Sequence, residues 1–348
     1  MIKRIVLLTL LVSSVIISCK KEANVNQNME ETFYVRNGNT DMPAFVYGNG
    51  ASNVFILVLH GGPGGNGLEY RAGSYAKKLE EKYAMVYWDQ RHQGNSHGHL
   101  KEDDITIDAM VEDTHVLIKT LKKRYGNSIS VFLLGHSWGG TLGSAYMVKN
   151  DYQHELAGWI EVDGAHDIPL LNIEVVKMIK TIGAEEVAAG RNVAEWEPMI
   201  TYANSLDTAN ITFEQTGELN GYGHKIENLL AEITTPAPMD QGLMDYFFTS
   251  PGNPIQSSFA GVFLPESFQK SVEKATYTDE LSKITIPTLL QWGKYDFVVP
   301  PALGYSAFSK IGSANKYLKI YEHSAHSPMS NEPELFVNDI IEFIELYK

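Results

Sequence analysis

The chain is expected to form a doubly wound, mostly parallel α/β sheet with an inserted helical cap. Two observations lead there. Short apolar, strand-like runs alternate with amphipathic helical segments in the first half of the chain and again in its last quarter. Between about residues 165 and 272 that rhythm lapses into helices and long connections, and the chain later returns to strands.

The elements follow in order. From about residue 33 the pattern reads strand, loop, strand. Residues 42–47 alternate as an early strand, and Val54–Leu59 is a continuous apolar run suited to a strand buried on both faces. After a Gly-rich loop, residues 70–81 read as an amphipathic helix, and Ala84–Trp88 as the next strand. Residues 104–125 make a long helix, since Met110, Val111, Thr114, Leu117, Ile118 and Leu121 recur at helical spacing. A strand at 129–134, a small-residue helix at 137–150 and a strand at 156–162 come next. Strands resume at 288–292 and Lys316–Tyr321, and a helix over 332–347 closes the chain.

The N-terminus reads as a leader rather than as fold. Lys3 and Arg4 precede an apolar run from Ile5 to Ile17, too short for a span of about 20 residues. The run ends Ile16-Ile17-Ser18-Cys19, which resembles a bacterial lipobox. That implies a cleaved signal peptide over 1–18 and an exported lipoprotein held in the cell envelope by an acylated Cys19. An ordinary signal peptide or an uncleaved anchor are the alternatives. Cys19 is the sole cysteine, so no disulfide can form within the chain. Residues 19–31 are polar and read as a tether, 32–164 and 273–348 as the core, and 165–272 as the cap. The net charge of -14, with no basic stripe, argues against nucleic acid as a partner.

Gly135-His136-Ser137-Trp138-Gly139 carries the strongest chemical signal, because it follows a buried strand and opens a helix. In that context Gly-x-Ser-x-Gly presents a serine on a sharp turn, with a helix N-terminus behind it to favour developing negative charge. A serine hydroxyl needs a base, and the base an orienting acid. In chain order Ser, acid, His, the expected partners are Asp296 in WGKYDFVVP and His326 in HSAHSP, each just after a strand. His323 is the competing base and Asp163 the competing acid. The turn His60-Gly61-Gly62-Pro63-Gly64-Gly65 ends another buried strand. It is expected to supply an oxyanion donor from Gly62, beside the amide of Trp138. His92, His97 and His99 cluster in a polar loop without carboxylate or cysteine spacing, so no metal is expected.

Together HGGPGG, Asp89-Gln90-Arg91, GHSWGG and the late HSP resemble the proline iminopeptidase branch of the α/β-hydrolases. The resemblance covers about residues 42–165 and 285–348, the core but not the cap. It implies a serine aminopeptidase that removes N-terminal residues, proline among them, from short peptides through an acyl-enzyme and without a cofactor. It also implies cap acids that pair with the substrate's free amine. The expected cap holds fourteen Asp and Glu against five Lys and Arg. Trp196-Glu197 and Asp245-Tyr246-Phe247 resemble the family's segments there, which makes Glu197 and Asp245 the candidates. Two positions depart from the family: His92 replaces a Gly after Asp-Gln-Arg, and His136 stands where Gly is frequent. An esterase, lipase or amidase using the same triad is the alternative, with a small ester as substrate. A binding lipoprotein without activity is a third reading, disfavoured by the intact set of groups. Dehalogenase and epoxide hydrolase chemistry is excluded, because it needs a carboxylate at position 137.

Overall fold

The computed structural model describes residues 26–99, 101–230, 233–234 and 264–348. Its centre is a nine-stranded sheet. The strands are β1 (Met29–Asn37), β2 (Thr40–Gly48), β3 (Val54–Leu59), β4 (Ala84–Trp88), β5 (His97–Gly98), β6 (Ser130–His136), β7 (Gly158–Val162), β8 (Thr288–Gly293) and β9 (Lys316–Tyr321). Their spatial order is β1-β2-β4-β3-β6-β7-β8-β9, with the short β5 pairing to β2. Pairs from β4 through β9 are parallel, whereas β1, β2 and β5 are antiparallel additions. All six residues of β3 are buried, as its unbroken apolar run requires in a strand covered on both faces.

The helices are α1 (Ser74–Glu80), α2 (Ile107–Tyr125), α3 (Trp138–Val148), α4 (Ile168–Ala188), α5 (Val193–Ser205), α6 (Phe213–Leu229), α7 (Glu266–Val272), α8 (Pro301–Lys310), α9 (Pro328–Asn331) and α10 (Pro333–Tyr347). They cover the two sheet faces with separate apolar clusters. One gathers α2 and α3 residues such as Leu117 and Leu142. The other gathers α1 and α10 residues such as Leu79 and Ile340. Between β7 and β8 the chain leaves the sheet to form α4, α5, α6 and α7. Among the described residues no helix is long and apolar enough to cross a membrane.

Three details differ from the sequence reading. The first strand begins at Met29, inside the expected tether, because Met29 is buried and pairs in register with Gly48. The expected helix over 70–81 is split: a 3₁₀ turn at Leu68–Arg71 precedes α1, and the extended Gly73 separates them. The helix α8, which had no counterpart in the reading, packs Gly304 closely against the Trp292 ring.

The Asp-Gln-Arg segment after β4 builds an ion pair into the interior. Arg91 donates from Nε and Nη2 to the two carboxylate oxygens of Asp113 on α2, at 2.7 and 2.6 Å, and both groups are buried. Asn37 on β1 donates to the same carboxylate at 2.7 Å. Removing one member leaves the other charge stranded, which costs more than the pair itself contributes. Arg91→Ala should therefore destabilise the fold by about 3–5 kcal/mol, read as a lower denaturant midpoint at unchanged m-value. A change below about 1 kcal/mol would show that the pair is not buried in solution.

Candidate active site

Ser137 occupies the single-residue corner between β6 and α3, with φ 57° and ψ -120°. That left-handed backbone is costly for a residue with a Cβ and persists only when its surroundings hold it. They do so through backbone hydrogen bonds. Ser137 N–H donates to Val162 O at 3.1 Å, and Ser137 O accepts from Gly140 at 2.8 Å and Ala165 at 3.0 Å. A Cβ at Gly135 would lie 2.3 Å from Gly139 O, and one at Gly139 would lie 2.0 Å from Leu59 O. Only glycine lets β6, α3 and β3 approach this closely.

Two other strand ends bring the expected acid and base together. Asp296, after β8, is buried, and its Oδ1 accepts from the Val298 and Val299 amides at 2.8 and 2.7 Å. Its Oδ2 lies 2.8 Å from Nδ1 of the buried His326, which follows β9. A carboxylate can only accept, so His326 Nδ1 carries the proton and Nε2 is left as the basic nitrogen. Burial opposes the charged imidazole, yet the Asp296 carboxylate outweighs it and holds the His326 pKa above its usual value. His323 is exposed, and its backbone amide donates to Glu332 at 2.9 Å, so His326 is the histidine that meets the acid. Asp163, after β7, is buried alongside, and its Oδ1 accepts from Gly293 N–H at 2.9 Å.

The glycine turn after β3 faces this corner. Gly62, at φ 126°, lines a cavity of about 190 Å³ together with Ser137 and Trp138. A web of neutral side chains fixes the turn against α3. Gln90 donates from Nε2 to His60 O at 3.1 Å and accepts the Trp138 indole N–H at 2.8 Å. Gln93 accepts the Gly64 amide at 2.5 Å and donates to Gln90 Oε1 at 3.3 Å. His60 is held neutral, since burial pushes its pKa down to about 4. The two halves of the expected oxyanion site are thus tied by amides that cannot titrate. Nearby, His92 takes a left-handed φ of 58°, which accounts for the family's Gly at that place.

The second departure, His136, has a structural use. Its Nε2 lies 2.8 Å from the His326 carbonyl, an acceptor, so Nε2 donates and Nδ1 accepts the Tyr70 hydroxyl at 2.5 Å. The Tyr70 oxygen in turn accepts the Gly61 amide at 2.8 Å. Burial and the neighbouring His326 push the His136 pKa down to about 3, so the relay stays neutral. It couples the glycine turn after β3 to the loop that carries His326.

From the cap side, Glu227 on α6 accepts the His326 backbone amide at 3.0 Å. Burial, with the charge of Asp296, pushes its pKa up to about 7, against the pull of His326. Thr216, Asn220 and Glu273 line the same cavity as Ser137, and Ile168, Leu171, Val298 and Val299 supply apolar wall. The Oε2 atom of Glu273 is buried without a partner among the described residues, and burial pushes its pKa up to about 6. Of the residues expected to read an amine, Glu197 is not brought to this cavity. It is exposed on α5, because the adjacent Trp196 takes the inward side and is fully buried. Asp245 and Cys19 lie outside the described residues.

The comparisons agree with this architecture. A family model described as "alpha/beta hydrolase fold" matches residues 54–333. The chain belongs to the α/β-hydrolase family. Among curated relatives it is similar to a proline iminopeptidase of Saccharolobus solfataricus, 28% identical over 84% of this chain and 86% of the relative. It is also similar to a probable aminopeptidase, YbaC, of Bacillus subtilis, 24% identical over 87% and 92% of the two chains. Among solved structures, an esterase from Exiguobacterium antarcticum superposes with TM-score 0.58 at 19% identity, covering 91% of this chain and all of that one.

A serine on a strained corner beside a cavity, with a histidine–aspartate pair on neighbouring strand ends, suits acyl transfer. Ser137→Ala should abolish labelling by a fluorophosphonate probe. Tyr70→Phe, which strands the Gly61 amide and His136 Nδ1, should slow labelling about tenfold without unfolding the chain. Labelling that survives in Ser137→Ala would place the nucleophile elsewhere.

Proposed function

We propose that the protein is a serine aminopeptidase that removes single N-terminal residues, proline among them, from short peptides. The observation that carries this reading is Glu273: a half-buried carboxylate with an unpartnered oxygen, lining the same cavity as Ser137. Such a group needs a cation, and a substrate's α-ammonium would supply one. A cavity of about 190 Å³ suits one residue rather than a long acyl chain. The relatives named proline iminopeptidase and probable aminopeptidase point the same way.

In this reading Ser137 Oγ attacks the carbonyl carbon of the first peptide bond while His326 Nε2 takes its proton. Asp296 holds the imidazole in that tautomer and stabilises the imidazolium. The Gly62 and Trp138 amides receive the oxyanion. The intermediate collapses as His326 returns the proton to the leaving amine, and water releases the acyl group by the same steps. No cofactor takes part. The apolar wall of Ile168, Leu171, Val298 and Val299 favours a second reading, a small-ester hydrolase using the same groups.

The readings separate on aminoacyl 4-nitroanilides, free and N-acetylated, beside 4-nitrophenyl butyrate. Free-amine substrates should turn over and acetylated ones should not. Glu273→Gln should raise KM for the free amine about tenfold or more and change butyrate turnover far less. Glu273 binds the ammonium only when ionised, so KM should climb as pH falls through about 6. It should climb again above about 8, where the α-amine loses its proton. Turnover of the ester alone would leave the second reading.

The leader supports a further placement: residues 1–18 removed and Cys19 acylated, anchoring the enzyme in the cell envelope. In a bacterial host that processes lipoproteins, the full chain should fractionate with membranes and Cys19→Ser should not. Equal distribution of the two would remove the anchor from the reading.

A further inference from the structure

Three strand ends, β7, β8 and β9, converge on His326, and two of them carry an aspartate. Asp296 makes the 2.8 Å contact to Nδ1. Asp163 is equally buried, yet only one of its oxygens is occupied, by the Gly293 amide; its Oδ2 has no hydrogen-bond partner among the described residues. A carboxyl oxygen of Asp163 and ring nitrogens of His136 and His326 all lie within 4.8 Å of one another. The Asp163 backbone is itself left-handed, at φ 43°, and its amide donates to Gln291 O on β8. The side chain is therefore held against the triad by two bonds to β8, the strand that also delivers Asp296.

Two carboxylates side by side in the interior cannot both be charged. Burial first, and then the Asp296 charge, push the Asp163 pKa well above the carboxylate range, which leaves Asp163 neutral and Asp296 ionised. A neutral acid carries one proton, and Asp296 is the anion beside it. Removing the Asp296 charge takes away the second of those causes, and an imidazolium formed on His326 beside it then favours an ionised Asp163 over the remaining cost of burial. An ionised Asp163 then needs to close only the gap from within 4.8 Å to hydrogen-bond range of the imidazole.

We propose that Asp163 is a second acid of the triad: it positions Asp296 in the resting enzyme and becomes the partner of His326 when Asp296 cannot carry charge. The inference rests on the reading of Ser137, His326 and Asp296 as the reacting set, and it adds a positioning residue to that set.

The test is the rate of Ser137 phosphonylation by a fluorophosphonate, in which Oγ displaces fluoride from phosphorus. This readout does not depend on which substrate the enzyme prefers. Asp296→Ala should slow the reaction about 30-fold, instead of the roughly 10⁴-fold loss seen when a triad acid has no substitute. Asp163→Asn alone should slow it about threefold, but in the Asp296→Ala background it should cost about 100-fold more. That non-additivity is the signature; a merely structural Asp163 would cost the same in both backgrounds. Thermal melts accompany each variant. Should Asp296→Ala not fold, Asp296→Asn keeps an oxygen to accept the Val298 and Val299 amides and enters the same comparison. A low-field proton resonance of His326 Nδ1–H gives a second readout, retained in the Asp296 variant and lost in the double variant. Equal costs of Asp163→Asn in both backgrounds, or loss of the resonance in Asp296→Ala itself, would overturn the proposal. A wild-type protein whose probe reaction is indifferent to Ser137→Ala would overturn the triad reading and this inference with it.

Discussion

Everything at the site depends on one strained corner, the left-handed Ser137 between β6 and α3. It exists because Gly135 and Gly139 let a strand, a helix and the end of β3 meet closer than any side chain would permit. The strain, on the order of 1–3 kcal/mol, is offset by the backbone bonds to Val162, Gly140 and Ala165. Those same bonds deliver β7 and the start of the cap to the serine. Backbone geometry therefore fixes Ser137 before any side-chain chemistry is considered. It also orders the neighbours, since parallel β3, β6, β7, β8 and β9 end at one edge and place their following loops around the corner.

Around that corner the protein uses neutral groups for positioning and reserves charge for the reaction. Gln90, Gln93, His60, Tyr70 and His136 form bonds whose donors and acceptors do not change over the working pH range. The buried Arg91–Asp113 pair stands between the segment after β4 and α2, where its field is balanced within the pair. A glycine turn held by ionisable groups would loosen whenever one of them titrated. One held by amides and by a histidine pushed to about pKa 3 keeps its shape.

Much of this was legible in the residues. Unbroken apolar runs gave β3 and β4 to the residue, and the motif after β6 marked the corner, because burial on both faces and a strained turn each demand a narrow choice of side chains. Charge on helices was harder. Glu197 looked suitable beside Trp196, but neighbouring residues on a helix point about 100° apart, and the tryptophan took the interior. On α6 the spacing did hold a signal: Thr216, Asn220, Gly223 and Glu227 share one face, and the first two line the cavity while Glu227 touches the histidine loop. Glu273 carried no such mark, because it follows α7 in a connection whose direction only the tertiary structure sets.

The arrangement of carboxyl groups has a further consequence. Asp163, Asp296 and Glu227 surround one imidazole, and Glu273 lines the same cavity as Ser137. Were all four ionised, their mutual repulsion in a dry pocket would cost far more than the fold can spare. The burial that raises Asp163 and Glu227 removes most of those two charges between about pH 6 and 7, where Glu273 stays ionised. What remains is one carboxylate for the histidine and one for an incoming cation. As the imidazole takes the serine's proton, the net charge of the site is unchanged: a positive ring forms beside Asp296 while the oxyanion forms on the substrate. A site kept slightly negative at rest thus favours both an ammonium substrate and the imidazolium of the step that follows. An uncharged ester gains only the second of these, which is the physical ground for placing the aminopeptidase reading first.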